Sequence, residues 1–269
     1  MPLVHPTAVV SDGARLADDV HVGPYAVIGP KVRMGRGCRI EAHGVVTGST
    51  RIGEHNRIHS HAVIGSDPQD RKYRGEETHL VVGDRNVFRE GVTVNTGTVQ
   101  GGGKTQIGSR CAFLANSHVA HDCIVGDHVL LANNVMLAGH VRLHDRATIN
   151  GGAGIHHFTT VGRCVYVGGL TRITRDVPPF MIVEGHPSRV RGVNVIGIKR
   201  AGHSEETILI LKEAFRTLYR SDLVLKDAME RLEKQFSGCP ELLELVSFLR
   251  ASELGRQGRQ FESPDRSLK

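Results

Sequence analysis

The chain has 269 residues, of which 39% are hydrophobic and 23% charged, with 32 Gly, no Trp, 4 Tyr and 8 Phe. This suffices for a sizeable core in one large domain or two modest ones, and scarce rings make that core aliphatic. The composition excludes a disordered chain and a collagen triplet, and no apolar run reaches the ~18 residues of a membrane span.

The net charge of +6 favours anionic partners: nucleotide phosphates, an acidic carrier protein or nucleic acid. Met1 to Asp12 holds no basic patch followed by an apolar segment, so no signal peptide is expected. Cys38, Cys111, Cys123, Cys164 and Cys239 are scattered and odd in number. They read as reduced thiols of a cytoplasmic protein, not as a zinc site.

A six-residue period dominates. An aliphatic residue stands at Val4, Val10, Leu16, Val22, Ile28, Met34, Ile40, Val46, Ile52, Ile58 and Ile64 without a break. The frame returns at Val82, Phe88 and Val94, then runs from Ile107 through Val125, Leu137, Ile149 and Val161 to Ile173. Neither a helical period of 3.6 nor a simple strand period of 2 explains this. Hexapeptide repeats predict a β-helix: each hexad forms a short strand and a corner, and three hexads close a triangular coil of eighteen residues. Coils at the strand spacing of ~4.8 Å give roughly nine turns and a prism of about 40 Å. Gly, Asn and Asp are expected at corners that need left-handed backbone.

Two polar segments interrupt the frame. Ser66 to Leu80 and Gln100 to Thr105 are both expected to project as loops, the second shifting the register by one residue. The repeat ends at Asp176-Val177-Pro178-Pro179. Residues 1–190 are thus assigned to the prism and 191–269 to an α-helical domain. There Ser204 is a candidate N-cap, and Ile208, Leu211, Phe215 and Leu218 follow at helical spacing. Leu225 to Phe236 marks a second helix, and Leu242, Leu245 and Leu249 a third with Pro240 in its first turn. The polar tail Leu254 to Lys269 is expected to fray.

Stacking the coils locates the chemistry. His121 is the third residue of its hexad, and the same position eighteen and thirty-six residues on holds Gly139 and His157. Beside them stand Asp122, His140 and Phe158. An imidazole near neutral pKa suits general-base catalysis. A glycine one coil away leaves room for a thioester and exposes an N–H toward a developing oxyanion. The pattern points to acyl transfer directly to a bound hydroxyl, since Cys123 has no base partner to make it a nucleophile.

The segment His118-Val119-Ala120-His121-Asp122-Cys123, then Leu137-Ala138-Gly139-His140 and Asp176-Val177-Pro178-Pro179, resembles the UDP-N-acetylglucosamine O-acyltransferase family of lipid A biosynthesis. Gln69-Asp70-Arg71-Lys72-Tyr73, Gln100-Gly101-Gly102-Gly103, Gly192-Val193-Asn194 and Lys199-Arg200 extend that resemblance over nearly the whole chain. It implies a left-handed parallel β-helix, a homotrimer with active sites between prisms, and no cofactor or metal. It implies transfer of a 3-hydroxyacyl chain from acyl carrier protein to the 3-OH of UDP-N-acetylglucosamine. On this resemblance His121 matches the general base, Asp122 its supporting carboxylate and Gly139 the oxyanion donor. Asp70, Lys72, His118, His140, His156, Asn194 and Arg200 match substrate contacts, and Gly169 the position that sets acyl length. His157, Ile196 and Ala201 depart from residues common in the family, all toward the nucleotide side; His157 is retained among the substrate contacts.

Rival readings are weaker. A zinc hydratase on the same prism needs three imidazoles on one metal, drawing on His118, His121 and residues across a trimer interface. The N-acyltransferase of the same pathway usually carries an extra N-terminal domain, whereas hexads here begin at Val4. A scaffold without activity leaves the site constellation unexplained. Nucleic-acid binding lacks an aromatic platform, and the basic surface around Lys199, Arg200, Lys212 and Arg216 suits an acidic carrier protein better.

Overall fold

The computed structural model describes residues 1–262. Twenty-six short strands run from Leu3–Val4 to Arg172–Ile173, most of them two residues long, and the corners between them change the chain's direction. They assemble three sheets in which each strand pairs in parallel with the strand one coil later. On one face His118 pairs with Met136, Met136 with Gly154 and Gly154 with Arg172, each eighteen residues apart. The coil arithmetic of the hexads is therefore the register of the sheets.

The frame residues point inward: Ile28, Ile58, Ile64, Leu131 and Leu137 are fully buried. A second inward position, two residues earlier, escaped the sequence reading. Ala26, Cys38, Ala62, Cys111, Cys123, Val135 and Ala153 fill it. The pleat explains it, because alternate residues of a strand share a face. Small and medium side chains predominate there, with Leu80, Asn56 and Asn86 as larger buried members. The cysteines at this position are core fillers, and burial pushes the thiols of Cys111 and Cys123 up to about 12. The prism tolerates rings at one level, where Phe88 and Phe113 stack with centroids 4.8 Å apart.

Many corners are left-handed without glycine, asparagine or aspartate. Tyr25, His43, His61, His140, Phe158 and Leu170 all have φ between 56° and 63°. Such backbone costs about 1–2 kcal/mol per residue. It persists because the corner amides join the inter-coil ladder, as His140 N–H does to the His121 carbonyl at 3.0 Å.

The first interruption is shorter than expected and the second begins earlier. Leu80 and Thr105 are fully buried inside the strands His79–Val82 and Lys104–Ile107. The first loop, residues 67–78, lies over the prism corner. The second, residues 96–103, projects only at its tip, where Val99, Gln100 and Gly102 are exposed. It contains a 3-10 turn at Val99–Gly101 and packs against the next coil, with Thr96 and Thr98 buried. Thr93 pairs with His118, twenty-five residues away, so this loop inserts seven residues into a coil of eighteen.

Beyond the prism, Met181–Glu184 joins the eleven-stranded sheet and turns back antiparallel through Arg189–Val193. Four helices follow: α1 (Val195–Arg200), α2 (Glu205–Tyr219), α3 (Leu225–Gln235) and α4 (Pro240–Leu254). The short α1 was not expected. Ser204 caps α2 by accepting from Thr207 N–H at 3.1 Å, and Pro240 opens α4. Ile208, Leu211, Met229, Leu232, Leu242 and Leu245 form a second core that reaches Cys164 and Phe180 of the prism end. Arg163 ties the two parts through Glu244, 2.6 Å from its Nε.

The tail does not fray where it is described. Residues 255–262 return to the prism end: Arg259 is 3% exposed and donates to the Thr174 carbonyl at 2.6 Å. Gln260 N–H donates to Asp176 at 2.9 Å, and the Arg142 guanidinium lies 3.7 Å from the Phe261 ring centre. The remainder of the expected polar tail, 263–269, lies outside the described residues.

Candidate active site

Three consecutive corners stack His121-Asp122, Gly139-His140 and His157-Phe158. The left-handed backbone at Asp122 and His140, φ 61° and 63°, turns neighbouring side chains toward one another. His121 Nδ1 lies 2.8 Å from Asp122 Oδ2. An ionised carboxylate only accepts, so Nδ1 carries the proton and Nε2 keeps its lone pair.

Asp122 is almost fully enclosed, its side chain 1% exposed. Burial alone would raise its pKa, but hydrogen bonds from His121 and Thr98 outweigh burial and hold the carboxyl below its usual range. His140 Nε2 stands 3.6 Å from the same Oδ2, and its ring stacks on Phe158 at 4.4 Å. His118 Nδ1 is 2.7 Å from the Thr93 hydroxyl. Burial, then the charge of His121, depresses the His118 pKa. Burial also lowers that of His157, aided by His156 and His121.

Gly139 does not leave the open space for a thioester that its position suggested. A Cβ there would lie 2.5 Å from His121 Cε1 and 2.8 Å from Nε2. The space left by the missing side chain holds the imidazole itself, not a thioester. The Gly139 N–H takes no part in the backbone ladder, unlike the neighbouring amides of Ala138 and His140.

The site opens on a groove of about 630 Å³, bordered by Gln69, His118, His121, Gly139, His156 and His157. Met136, Gly154 and Arg172 form its floor along one sheet face. Sequence reasoning missed these three, although the same eighteen-residue arithmetic applied one position before the frame residue finds them.

Other expected contacts lie apart from this cluster. Asp70 and Lys72 sit in the loop 67–78, where Asp70 Oδ1 accepts the Lys72 N–H at 2.9 Å; neither borders the groove. Asn194 is committed to structure: Oδ1 accepts Gly197 N–H at 3.1 Å to cap α1, and Nδ2 donates to the Cys164 carbonyl at 2.8 Å. Arg200 is exposed in the last turn of α1. Gly169 is exposed at the other edge of the sheet face that forms the groove floor.

His121, Asp122 and His140 bring metal-type ligand atoms within 4.8 Å of one another. However, Oδ2 already accepts from His121 Nδ1 and the Thr98 hydroxyl. A zinc ion ~2.1 Å from Oδ2 would have to displace at least one of these hydrogen bonds. The donor set fits a proton-transfer pair better than a metal centre.

A hexapeptide prism carrying a buried imidazole–carboxylate pair beside an apolar groove defines an enzyme of the hexapeptide acyltransferase class. Residues 13–48 and 104–139 match the bacterial transferase hexapeptide family, and 176–257 match domain 2 of UDP-N-acetylglucosamine O-acyltransferase. The acyl-[acyl-carrier-protein]–UDP-N-acetylglucosamine O-acyltransferase of Anaeromyxobacter sp. (strain Fw109-5) is 50% identical over 173 residues, 64% of this chain and 67% of that relative. The enzyme of Gloeothece citriformis (strain PCC 7424) is 48% identical over 65% of this chain and 64% of its own length, so these matches span about two thirds of each relative. Among solved structures, the protein from Acinetobacter baumannii superposes with a TM-score of 0.87 at 41% identity, over 91% of this chain and 95% of that one. The chain belongs to the UDP-N-acetylglucosamine O-acyltransferase family, and its β-helix is left-handed.

Proposed function

We propose that this chain transfers a 3-hydroxyacyl group from acyl carrier protein to the 3-OH of UDP-N-acetylglucosamine, a step of lipid A biosynthesis. The observation that carries this reading is the 2.8 Å bond from His121 Nδ1 to a buried carboxylate, which leaves Nε2 basic at the groove. Nε2 takes the proton of the sugar hydroxyl as that oxygen bonds to the thioester carbonyl carbon. The resulting oxyanion accepts the Gly139 N–H. Collapse re-forms the carbonyl and breaks the C–S bond, and the imidazolium returns its proton to the departing thiolate. Asp122 stays ionised throughout and stabilises the imidazolium. No cofactor is needed.

The floor of Met136 and Gly154 suits an alkyl chain, and Gly169, with no side chain, leaves its far end open to a longer chain of the hydroxymyristoyl kind. His118, His140, His156 and His157 border or face the acceptor. Lys72 and Arg200 supply charge for the pyrophosphate, Asp70 contacts the sugar, and Asn194 acts through the α1 cap that carries Arg200. A homotrimer completes each site. Support comes from the outward residues Val9 and Val27 on the groove's sheet face, 56% and 39% exposed. Five free, buried cysteines suit a reducing cytoplasm. No helix of the described residues is long and apolar enough to cross a membrane.

The test is to incubate the protein with UDP-N-acetylglucosamine and a panel of acyl carrier protein thioesters and identify products by mass. O-acylated sugar nucleotide is expected, and His121→Ala should lower turnover at least ~100-fold. Absence of product with every donor, or undiminished turnover in that variant, defeats the reading.

A further inference from the structure

Asp122 is also held by the loop that inserts seven residues into the prism. Thr98 N–H donates to Oδ1 at 2.7 Å, and the Thr98 hydroxyl lies 2.7 Å from Oδ2. That hydroxyl also accepts the Gly101 N–H at 3.1 Å. With one neighbour donating to it and an acceptor-only carboxylate on the other side, its own proton must point at Asp122. Thr98 is 2% exposed, so water does not compete. Gly101 lets the loop come this close, because a Cβ there would lie 2.0 Å from the Asp122 carboxyl carbon. The Thr105 hydroxyl meanwhile accepts the Asp122 N–H at 2.8 Å, fixing the backbone beneath.

We propose that Thr98 is a positioning residue for the reaction: its hydroxyl, aligned by the Gly101 N–H, locks the Asp122 carboxylate against rotation so that Oδ2 serves His121. The proposal rests on the acyl-transfer reading of the His121–Asp122 pair. Its physical core is a choice of partner. His140 Nε2 stands only 3.6 Å from the same oxygen. A carboxylate freed from Thr98 can swing toward His140 and release the His121 Nδ1 proton from its fixed direction. The interruption of the hexapeptide frame at 96–103 thereby gains a purpose: it brings the amide and the hydroxyl of one residue to the Asp122 carboxylate.

The experiment compares wild type, Thr98→Val, Thr98→Ser and Gly101→Ala. In Thr98→Val, kcat should fall about 10-fold or more, with KM for the sugar nucleotide little changed, because a hydrogen bond to a charged group has been removed away from the substrate. The titration of the Asp122 carboxyl should move up by about one unit, since the carboxyl loses a donor that favours its ionised form. Thr98→Ser should restore both, and Gly101→Ala should shift the titration in the same direction. Wild-type kcat and carboxyl titration in Thr98→Val, or a Thr98→Ser variant as impaired as Thr98→Val, overturns the proposal. The Asp122 carboxyl carbon resonance, titrated without substrate, separates the two readings. If wild type transfers no acyl group, the functional reading fails by itself. If Thr98→Val leaves that titration unmoved, the role of Thr98 fails by itself.

Discussion

The His121 imidazole occupies the space that a side chain at Gly139 would need, one coil further along the prism; a Cβ there would stand 2.5 Å from Cε1. The base and the backbone amide proposed to receive the oxyanion are thus held by one contact. Moving either moves the other.

Gly139→Ala is therefore expected to lower turnover about 100-fold without removing any reacting group, because the ring is displaced from a position that catalysis needs to better than an ångström. Steady-state kinetics alongside circular dichroism checks this. A folded Gly139→Ala variant with wild-type kcat would show that the ring is free to move without consequence.

Stability should decline on mild acidification. The pKa values of His59, His118, His144 and His157 are all lowered in the folded protein, chiefly by burial. Below the unfolded value of 6.5 the unfolded chain binds more protons than the folded one, so unfolding becomes easier as pH falls from there toward the lowered folded values. Melting temperature should fall from about pH 7 to pH 5.5, and His144→Gln, away from the groove, should reduce the slope. A level or rising melting temperature over that window contradicts the assignment.

Asp122 acts in the same sense but in a lower window. Its folded pKa is depressed below 3.8, so its hydrogen bonds stabilise the fold fully above that value and lose their effect as pH drops through the folded pKa. Asp122→Asn should remove this acid-sensitive part. Denaturant midpoints measured between about pH 5 and pH 2.5 should fall less steeply in the variant than in wild type; parallel curves would refute the expectation.

At Gly169 a Cβ would meet only the Gly151 carbonyl, at 3.4 Å, so a larger residue fits without moving backbone. Gly169→Met should shift preference toward shorter acyl donors while the fold is retained. Competition between donors of different length reads this directly, and an unchanged length profile removes Gly169 from any role in chain selection.

Much of this was open to inspection in the chain itself. The hexad frame specified twenty-six strands and, outside the two loops, their register and the stacking of residue 121 over residue 139, because a β-helix repeats one local contact and eighteen residues make each uninterrupted coil. Ser204, Pro240 and the apolar stripes likewise marked α2 and α4, since caps and helical faces are written within a few residues. The tertiary structure decided what has no period. Thr98 reaches Asp122, Arg259 reaches Thr174 and Asn194 reaches Cys164 through one or two hydrogen bonds between distant segments. Such bonds depend on where an insertion or tail folds back in space. Spacing along a chain predicts contacts only where translation along the fold is regular, and at the loop over Asp122 that regularity stops.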